Sequence, residues 1–217
     1  MFLNLQTVST CAIVLTGAIV ATPVLIKGFK QRGTGIHESN FVIQRAPQLL
    51  SLLNVVFIVF AFLFYIEIIP GLGTNLQYLF VLETGKLTDL MAIISWLGVL
   101  TLLSGMIFMV GGWYCLGEYF STDSEVLEGQ GVRKTGFYKY VMHPIYSGII
   151  QCLVGASLTT LSPFCLLFAL FIVAPLWLKR AKYEEKILAD YLGPDYRSYG
   201  EELRWRRLVP VVFPFGV

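Results

Sequence analysis

Long apolar runs alternate with short polar segments along this chain, and several of the runs have the length of a membrane-spanning helix. A bilayer core of roughly 30 Å requires about 20 apolar residues in a helix. The dipeptide Ser162-Pro163 separates the last two runs and predicts a tight turn, so these two should form a helical hairpin. The pattern predicts an all-α membrane protein with about five transmembrane helices: Val8–Ile26, Pro47–Ile69, Leu90–Leu116, Pro144–Leu161 and Phe164–Leu178.

Composition places the chain in the membrane class independently of the spans. The 217 residues are 56% hydrophobic and 14% charged, with a mean hydropathy of +0.69, well outside the soluble range. The formal net charge of +2 is modest and the basic residues are spread out, which favours contact with anionic lipid over nucleic acid. The four cysteines form no CxxC pair, so we expect packing cysteines and no metal site.

Basic residues fall almost entirely on one side of the predicted membrane. With five spans, 15 of the 16 lysines and arginines lie in the loops after the first and third spans and in the C-terminal segment. Only Lys86 falls on the opposite side. Because positively charged loops stay on the cytoplasmic side, the N-terminus is predicted outside and the C-terminus in the cytoplasm. The chain is thus a multi-pass protein of a bacterial or archaeal cytoplasmic membrane or of the endoplasmic reticulum.

We find no repeat and no linker long enough to divide the chain, and we expect one integral membrane domain over residues 1–217. Residues 1–116 should hold three transmembrane helices. Residues 117–217 should hold a catalytic loop, the helical hairpin and a cytoplasmic C-terminal helix. Polar chemistry is concentrated in Glu118–Tyr146 and Lys179–Tyr199, so a functional site should lie there.

The stretch "GFYKYVMHPIYSG" joins a polar loop to the fourth apolar run. Pro144 is preorganised for the first position of a helix, which places His143 at the N-cap. The first backbone N–H groups of that helix favour a carboxylate or phosphate. Interfacial tyrosines and a capping histidine explain the same residues equally well.

A second polar stretch, "KRAKYEEKILADYLGPDYRSY", continues the fifth run as an amphipathic helix that Gly193-Pro194 ends. Because the hairpin returns the chain to the membrane face that it left at His143, Glu184 and Glu185 can approach His143. The alternative is local pairing with Arg180 and Lys182.

Together the two stretches resemble the isoprenylcysteine carboxyl methyltransferase family and its phospholipid-methylating and prokaryotic relatives. The resemblance runs from Gly131 to Pro210. It rests on HPxYxG, an adjacent glutamate pair about 40 residues later, and Gly-x-x-Tyr-x-x-Tyr after that. HPxY alone has little specificity.

The resemblance implies an integral membrane methyltransferase that binds S-adenosylmethionine in a cytoplasmic pocket of its C-terminal half. It implies catalytic or positioning roles for His143, Glu184 and Glu185. The acceptor would be lipophilic or small, such as an isoprenylcysteine carboxylate, a phospholipid amine or a thiol, with membrane lipids as neighbours. The implied cofactor-binding residues are Gly136, Tyr138, His143, Pro144, Tyr146, Glu184 and Glu185, and Gly193, Tyr196 and Tyr199 would close the pocket.

One departure from the family pattern stands directly before the histidine, where the family usually has arginine and this chain has Met142. A thioether cannot replace a guanidinium that fixes an anion. We hypothesise that Lys139 or Arg133 supplies the missing charge.

Two other functions remain open at this point. The chain also resembles membrane sterol reductases, which would use NADPH, and it fits a non-catalytic membrane scaffold of the same fold. If the acceptor is a lipid, small residues in the third and fourth spans can leave a side entrance for it: Gly98, Gly105, Gly148 and Gly155.

Overall fold

The computed structural model describes residues 5–31, 33, 40–65, 81, 88–123, 126–203 and 206–208. The regular elements of these residues are helices, which confirms the all-α class. Short 3-10 turns cover Gly117–Tyr119 and Gly136–Lys139. The six helices of the described residues are α1 (Leu5–Gln31), α2 (Phe41–Tyr65), α3 (Asp89–Leu116), α4 (Pro144–Thr159), α5 (Pro163–Leu192) and α6 (Pro194–Glu202).

The five predicted apolar runs are helical in their described parts, except that the fourth ends at Thr159, two residues before the predicted Leu161. By length and composition, α1, α2, α3 and α5 can each cross a membrane. The helix α4 has 16 residues and rises about 24 Å at 1.5 Å per residue, which is short for a bilayer core. The prediction of about five transmembrane helices is therefore roughly confirmed, with four long helices and one short one.

The helix α2 begins six residues before the predicted start at Pro47, and its predicted end at Ile69 lies outside the described residues. Asn40 caps it, because its side-chain oxygen accepts a hydrogen bond from the backbone nitrogen of Ile43 at 3.2 Å. Such a cap satisfies an N–H group that has no partner within the helix. Pro47 therefore lies inside the helix. The sequence analysis, which used apolar residues alone, predicted that the span begins at Pro47.

The turn between α4 and α5 confirms the predicted hairpin. Ser162 caps α5 through its hydroxyl, which accepts a hydrogen bond from Cys165 N at 3.3 Å, and Pro163 is the first residue of the helix. Leu161 has φ of +50°, as is common for the residue that follows a helix. From Pro163 the helix α5 continues to Leu192, with one π-helical stretch at Ala169–Val173.

The contacts divide the chain into two units. The first contains residues 1–16, 48–106 and 149–175. Within it, α3 and α4 approach closely at Gly98 and Gly155, where Ser95 donates a hydrogen bond to the carbonyl of Thr159 at 3.0 Å. A Cβ atom on Gly155 would overlap the backbone of Leu102. These glycines serve helix packing, and the hypothesis of a side entrance at Gly98 and Gly155 is wrong.

The second unit contains residues 17–47, 107–148 and 176–217. As predicted, Gly193 ends α5, and its φ of +63° suits glycine. Pro194 then begins α6. The aromatic face of α6 packs into a buried cluster that consists of Met142, Ala189, Tyr196, Tyr199 and Leu203. The predicted site residues all belong to this second unit.

We predict that Gly155→Ala lowers the thermal stability of the protein in detergent. The added methyl group has no space beside the Leu102 backbone, and overpacking typically costs 1–3 kcal/mol. Gly131→Ala is the matched control, because nothing lies within 4 Å of a Cβ atom there. Equal unfolding midpoints for the two variants would contradict the close contact of α3 and α4.

Candidate active site

Four of the predicted site residues meet at the start of α4. The imidazole Nε2 of His143 lies 3.0 Å from Oε1 of Glu185. Since a carboxylate only accepts hydrogen bonds, this nitrogen carries the hydrogen. The hydroxyl of Tyr146 donates to Oε2 of Glu184. The hairpin thus brings the motif around His143 and the distant glutamate pair together, as the sequence predicted.

His143 is fixed through its backbone on both sides. Its carbonyl accepts hydrogen bonds from the backbone nitrogen of Ser147, at 3.0 Å, and from the Ser147 hydroxyl, at 2.9 Å. This is the N-cap position that Pro144 predicts. Its own N–H donates to the carbonyl of Arg207 at 3.0 Å, and Met142 N donates to the carbonyl of Arg206 at the same distance. The C-terminal segment therefore lies directly along the histidine.

Arg207 is a site residue that the sequence analysis missed. Its guanidinium lies 3.5 Å from Oε2 of Glu185, and both side chains are 1% exposed. We had counted Arg207 among the basic residues of the cytoplasmic face. The sequence around it carries no signal against that interpretation, since Arg207 directly follows Arg206. Buried charges require such pairing.

The two adjacent glutamates have different environments. Glu185 is buried between His143 and Arg207, and its Oε2 has the ion pair but no hydrogen bond among the described residues. Glu184 is half-buried and contacts Tyr146. No described cation forms an ion pair with it, and the alternative of local pairing with Arg180 and Lys182 is wrong. Within the described residues, Glu184 thus contacts a tyrosine hydroxyl, whereas Glu185 forms an ion pair.

Aromatic rings line up beside the glutamates. The rings of His143 and Tyr146 are stacked, with centroids 5.4 Å apart, and Trp177 lies 4.8 Å from Tyr146. The Arg180 guanidinium lies over the rings of Tyr146 and Trp177, at 5.7 Å and 5.2 Å from their centroids. The sequence analysis assigned no role to Trp177, because a tryptophan at the end of an apolar run is typical of any membrane interface.

Gly136 and Tyr138 lie in the second 3-10 turn of the same unit. Gly136 has φ of +60°, and a Cβ atom there would overlap the Cys115 thiol, so both conformation and space require glycine. The carbonyl of Tyr138 accepts a hydrogen bond from the Tyr199 hydroxyl at 2.7 Å. This bond ties the turn to α6, in keeping with the structural role expected for Tyr199.

Three tyrosines around the glutamates have raised pKa values. Burial is the main cause in each case, and the charge of Glu184 raises the pKa of Tyr138 further. Tyr196 is affected by both glutamates, and Tyr199 by Glu202 and Glu185. Raised pKa values keep the phenols protonated at neutral pH, so they act as hydrogen-bond donors and not as bases.

The hypothesis that Lys139 or Arg133 supplies the missing charge stays a prediction. Both side chains are exposed, and the ammonium of Lys139 lies over the Tyr140 ring at 5.7 Å. Among the lysines and arginines that the structure describes, Arg207 forms an ion pair with the glutamate pair. Met142 itself is packed in the buried cluster with Ala189 and Tyr196.

The fold and the site define a class: an all-helical, multi-pass membrane protein with a buried histidine, glutamate and arginine beside the start of a short apolar helix. Residues 96–190 match the sequence model of the isoprenylcysteine carboxyl methyltransferase family. This matched part of the chain is similar to that family, and it contains His143, Tyr146, Glu184 and Glu185 but not Arg207.

A yeast protein shows the same relationship. The chain is 32% identical over 66 residues to the protein-S-isoprenylcysteine O-methyltransferase of Saccharomyces cerevisiae. The alignment covers 30% of this chain and 28% of the yeast protein. The chain therefore spans less than a third of the length of this relative.

We predict that the free energy of unfolding falls as the pH rises above about 10. In the unfolded chain these tyrosines have a pKa near 10, which is lower than their pKa in the folded protein. Above pH 10 they therefore ionise more readily in the unfolded state. The stabilisation is present below pH 10 and is lost above it. Each such group contributes a slope of up to about 1.4 kcal/mol per pH unit.

The measurement is the thermal midpoint between pH 8 and 11 for the native protein and for Tyr196→Phe. The variant should show the shallower decline, because it lacks one of these phenols. Tyr140→Phe removes the hydroxyl of a tyrosine that is 57% exposed, and it serves as the control. A decline equally steep in all three proteins would refute the assignment.

Proposed function

We propose that this protein is an S-adenosylmethionine-dependent integral membrane methyltransferase that acts on a lipophilic or small acceptor. The observation that carries the proposal is the difference between the contacts of the two glutamates. Glu185 forms an ion pair with Arg207 and a hydrogen bond with His143, whereas Glu184 is half-buried and contacts the Tyr146 hydroxyl. The family of residues 96–190 and the name of the yeast relative support the same reaction class.

The residues present fit this cofactor. S-adenosylmethionine carries a sulfonium, an ammonium and ribose hydroxyl groups, all of which are stabilised by a carboxylate. Glu184 has that carboxylate without a competing cation among the described residues, and Oε2 of Glu185 lacks a hydrogen-bond donor there. We assign the pocket to the residues that the family resemblance implies: Gly136, Tyr138, His143, Pro144, Tyr146, Glu184 and Glu185.

When bound, the cofactor would supply an electrophilic methyl group. The contribution of the chain is then to hold donor and acceptor in line, and such positioning can supply roughly 7–11 kcal/mol of the barrier. His143 and Arg207 hold Glu185, and Tyr146 holds Glu184. These contacts keep both carboxylates in fixed directions before any ligand arrives.

The need for a base depends on the acceptor. A carboxylate or thiolate acceptor attacks without losing a proton, so positioning is sufficient. An amine acceptor must lose a proton, and Glu184 is then the better candidate, since Glu185 is already engaged by an ion pair and a hydrogen bond. Phospholipid amines, isoprenylcysteine carboxylates and small thiols are thus all compatible with these residues.

The membrane setting suits an acceptor that is itself lipophilic. We place the N-terminus outside and the C-terminus in the cytoplasm, because the loops that contain most of the lysines and arginines should lie on the cytoplasmic side. A water-soluble cofactor then enters from the cytoplasm, while a lipid acceptor reaches the site from the bilayer.

The proposed class is tested by ligand binding to the detergent-purified protein. S-adenosylhomocysteine should raise the thermal midpoint in a concentration-dependent way, as any ligand of the native state does. NADPH should leave it unchanged. Stabilisation by NADPH alone would indicate the reductase, and stabilisation by neither compound would indicate a scaffold.

We further predict that substitution of Glu185 lowers mainly the stability of the protein, whereas substitution of Glu184 lowers mainly its affinity for the cofactor. Glu185→Gln should cost about 3 kcal/mol of stability, because it removes the charge that pairs with the buried Arg207. Glu184→Gln should leave the unfolding midpoint near that of the native protein but weaken S-adenosylhomocysteine binding at least tenfold. Calorimetry and thermal unfolding of both variants provide the comparison, and equal effects on both quantities would overturn the assignment.

A further inference from the structure

Arg180 is a buried cation that the proposed chemistry leaves unassigned. It lies on α5 one turn before Glu184, and the residue is 3% exposed. Its guanidinium donates hydrogen bonds to the carbonyl of Gln44, at 2.8 Å, and to the carbonyl of Thr122, at 3.0 Å. One side chain thus holds the first turns of α2 and the loop that follows α3.

The same guanidinium also touches the site. It lies over the ring of Tyr146, whose hydroxyl donates to Glu184, and over the ring of Trp177. A cation on an aromatic face contributes about 0.5–2 kcal/mol when it is desolvated. Arg180 therefore restrains the ring that in turn restrains Glu184.

Further contacts join the segments that Arg180 holds. Arg45 of α2 forms an ion pair with Asp123 at 2.9 Å, next to Thr122. The hydroxyl of Tyr183 accepts a hydrogen bond from the backbone nitrogen of Asn40 at 3.3 Å. In α2, Pro47 has no N–H to donate to the carbonyl of Ile43, so this part of the helix lacks one backbone hydrogen bond.

We propose that Arg180 is a positioning residue of the methyltransferase site, which couples the start of α2 and the loop after α3 to the Tyr146–Glu184 pair. This inference rests on the proposed function. It assigns a role in the site to residues 40–47, which lie outside the family match at 96–190. The planar guanidinium serves two carbonyls and a ring face at once, which a lysine ammonium does not.

A double-mutant cycle tests the coupling, with the dissociation constant of S-adenosylhomocysteine measured by calorimetry. Arg180→Gln should weaken binding about tenfold, within the range of coupling energies for contacting residues. In the Tyr146→Phe background, which lacks the hydroxyl on Glu184, the same change should weaken binding less than about twofold. Arg180→Lys keeps a cation near the ring and should recover part of the affinity.

Arg45→Gln is the matched control. It removes a cation that joins the same two segments, and its effect on affinity should simply add to that of Tyr146→Phe. If Arg180→Gln does not fold, as judged by thermal unfolding and gel filtration, Arg180→Lys takes its place in the cycle.

The outcomes separate the two proposals. If the native protein does not bind S-adenosylhomocysteine, the proposed function falls and this inference falls with it. If the native protein binds but Arg180→Gln binds within twofold of it, or if the losses from Arg180→Gln and Tyr146→Phe are additive, the function stands and the positioning role is wrong.

Discussion

The site depends on one buried charge, the carboxylate of Glu185. An ionised carboxylate removed from water costs several kcal/mol unless partners replace the lost hydration. Here the partners come from two other parts of the chain, since His143 precedes α4 and Arg207 follows α6. Backbone hydrogen bonds from Met142 and His143 to the Arg206 and Arg207 carbonyls reinforce the arrangement. The fold of this unit therefore supplies the partners of the buried Glu185 carboxylate.

The neighbouring Glu184 differs from Glu185 in its contacts. Residues i and i+1 of a helix do not face each other, so α5 directs Glu185 toward Arg207 and Glu184 toward Tyr146. Both acids are present in the sequence as one pair. Burial and partners then give the two acids different environments: Glu185 lies in a buried ion pair, and Glu184 lies half-buried against Tyr146.

Much of this could be predicted from the sequence, because hydropathy and backbone chemistry act locally. Pro144 and Gly193 determined helix ends, and the hairpin implied that His143 and Glu185 meet. The partners Arg207 and Arg180 could not be found in this way. A basic residue near a membrane is usually a solvated charge at the interface, and only the tertiary contacts distinguish a buried one. Apolar runs likewise identify a span without its neighbours, so the close approach of Gly98 and Gly155 required the structure.

The departure at Met142 has a physical explanation in the same packing. The side chain lies in the buried cluster with Ala189, Tyr196, Tyr199 and Leu203, where an arginine would lose its hydration unless a carboxylate paired with it. Glu185, the nearby buried carboxylate, is already paired with Arg207. A second guanidinium at position 142 would compete for the same charge, whereas a flexible thioether fills an irregular apolar space. Met142 and Arg207 are thus consistent with each other: the chain places its site cation on the C-terminal segment and uses position 142 to hold α6 in place.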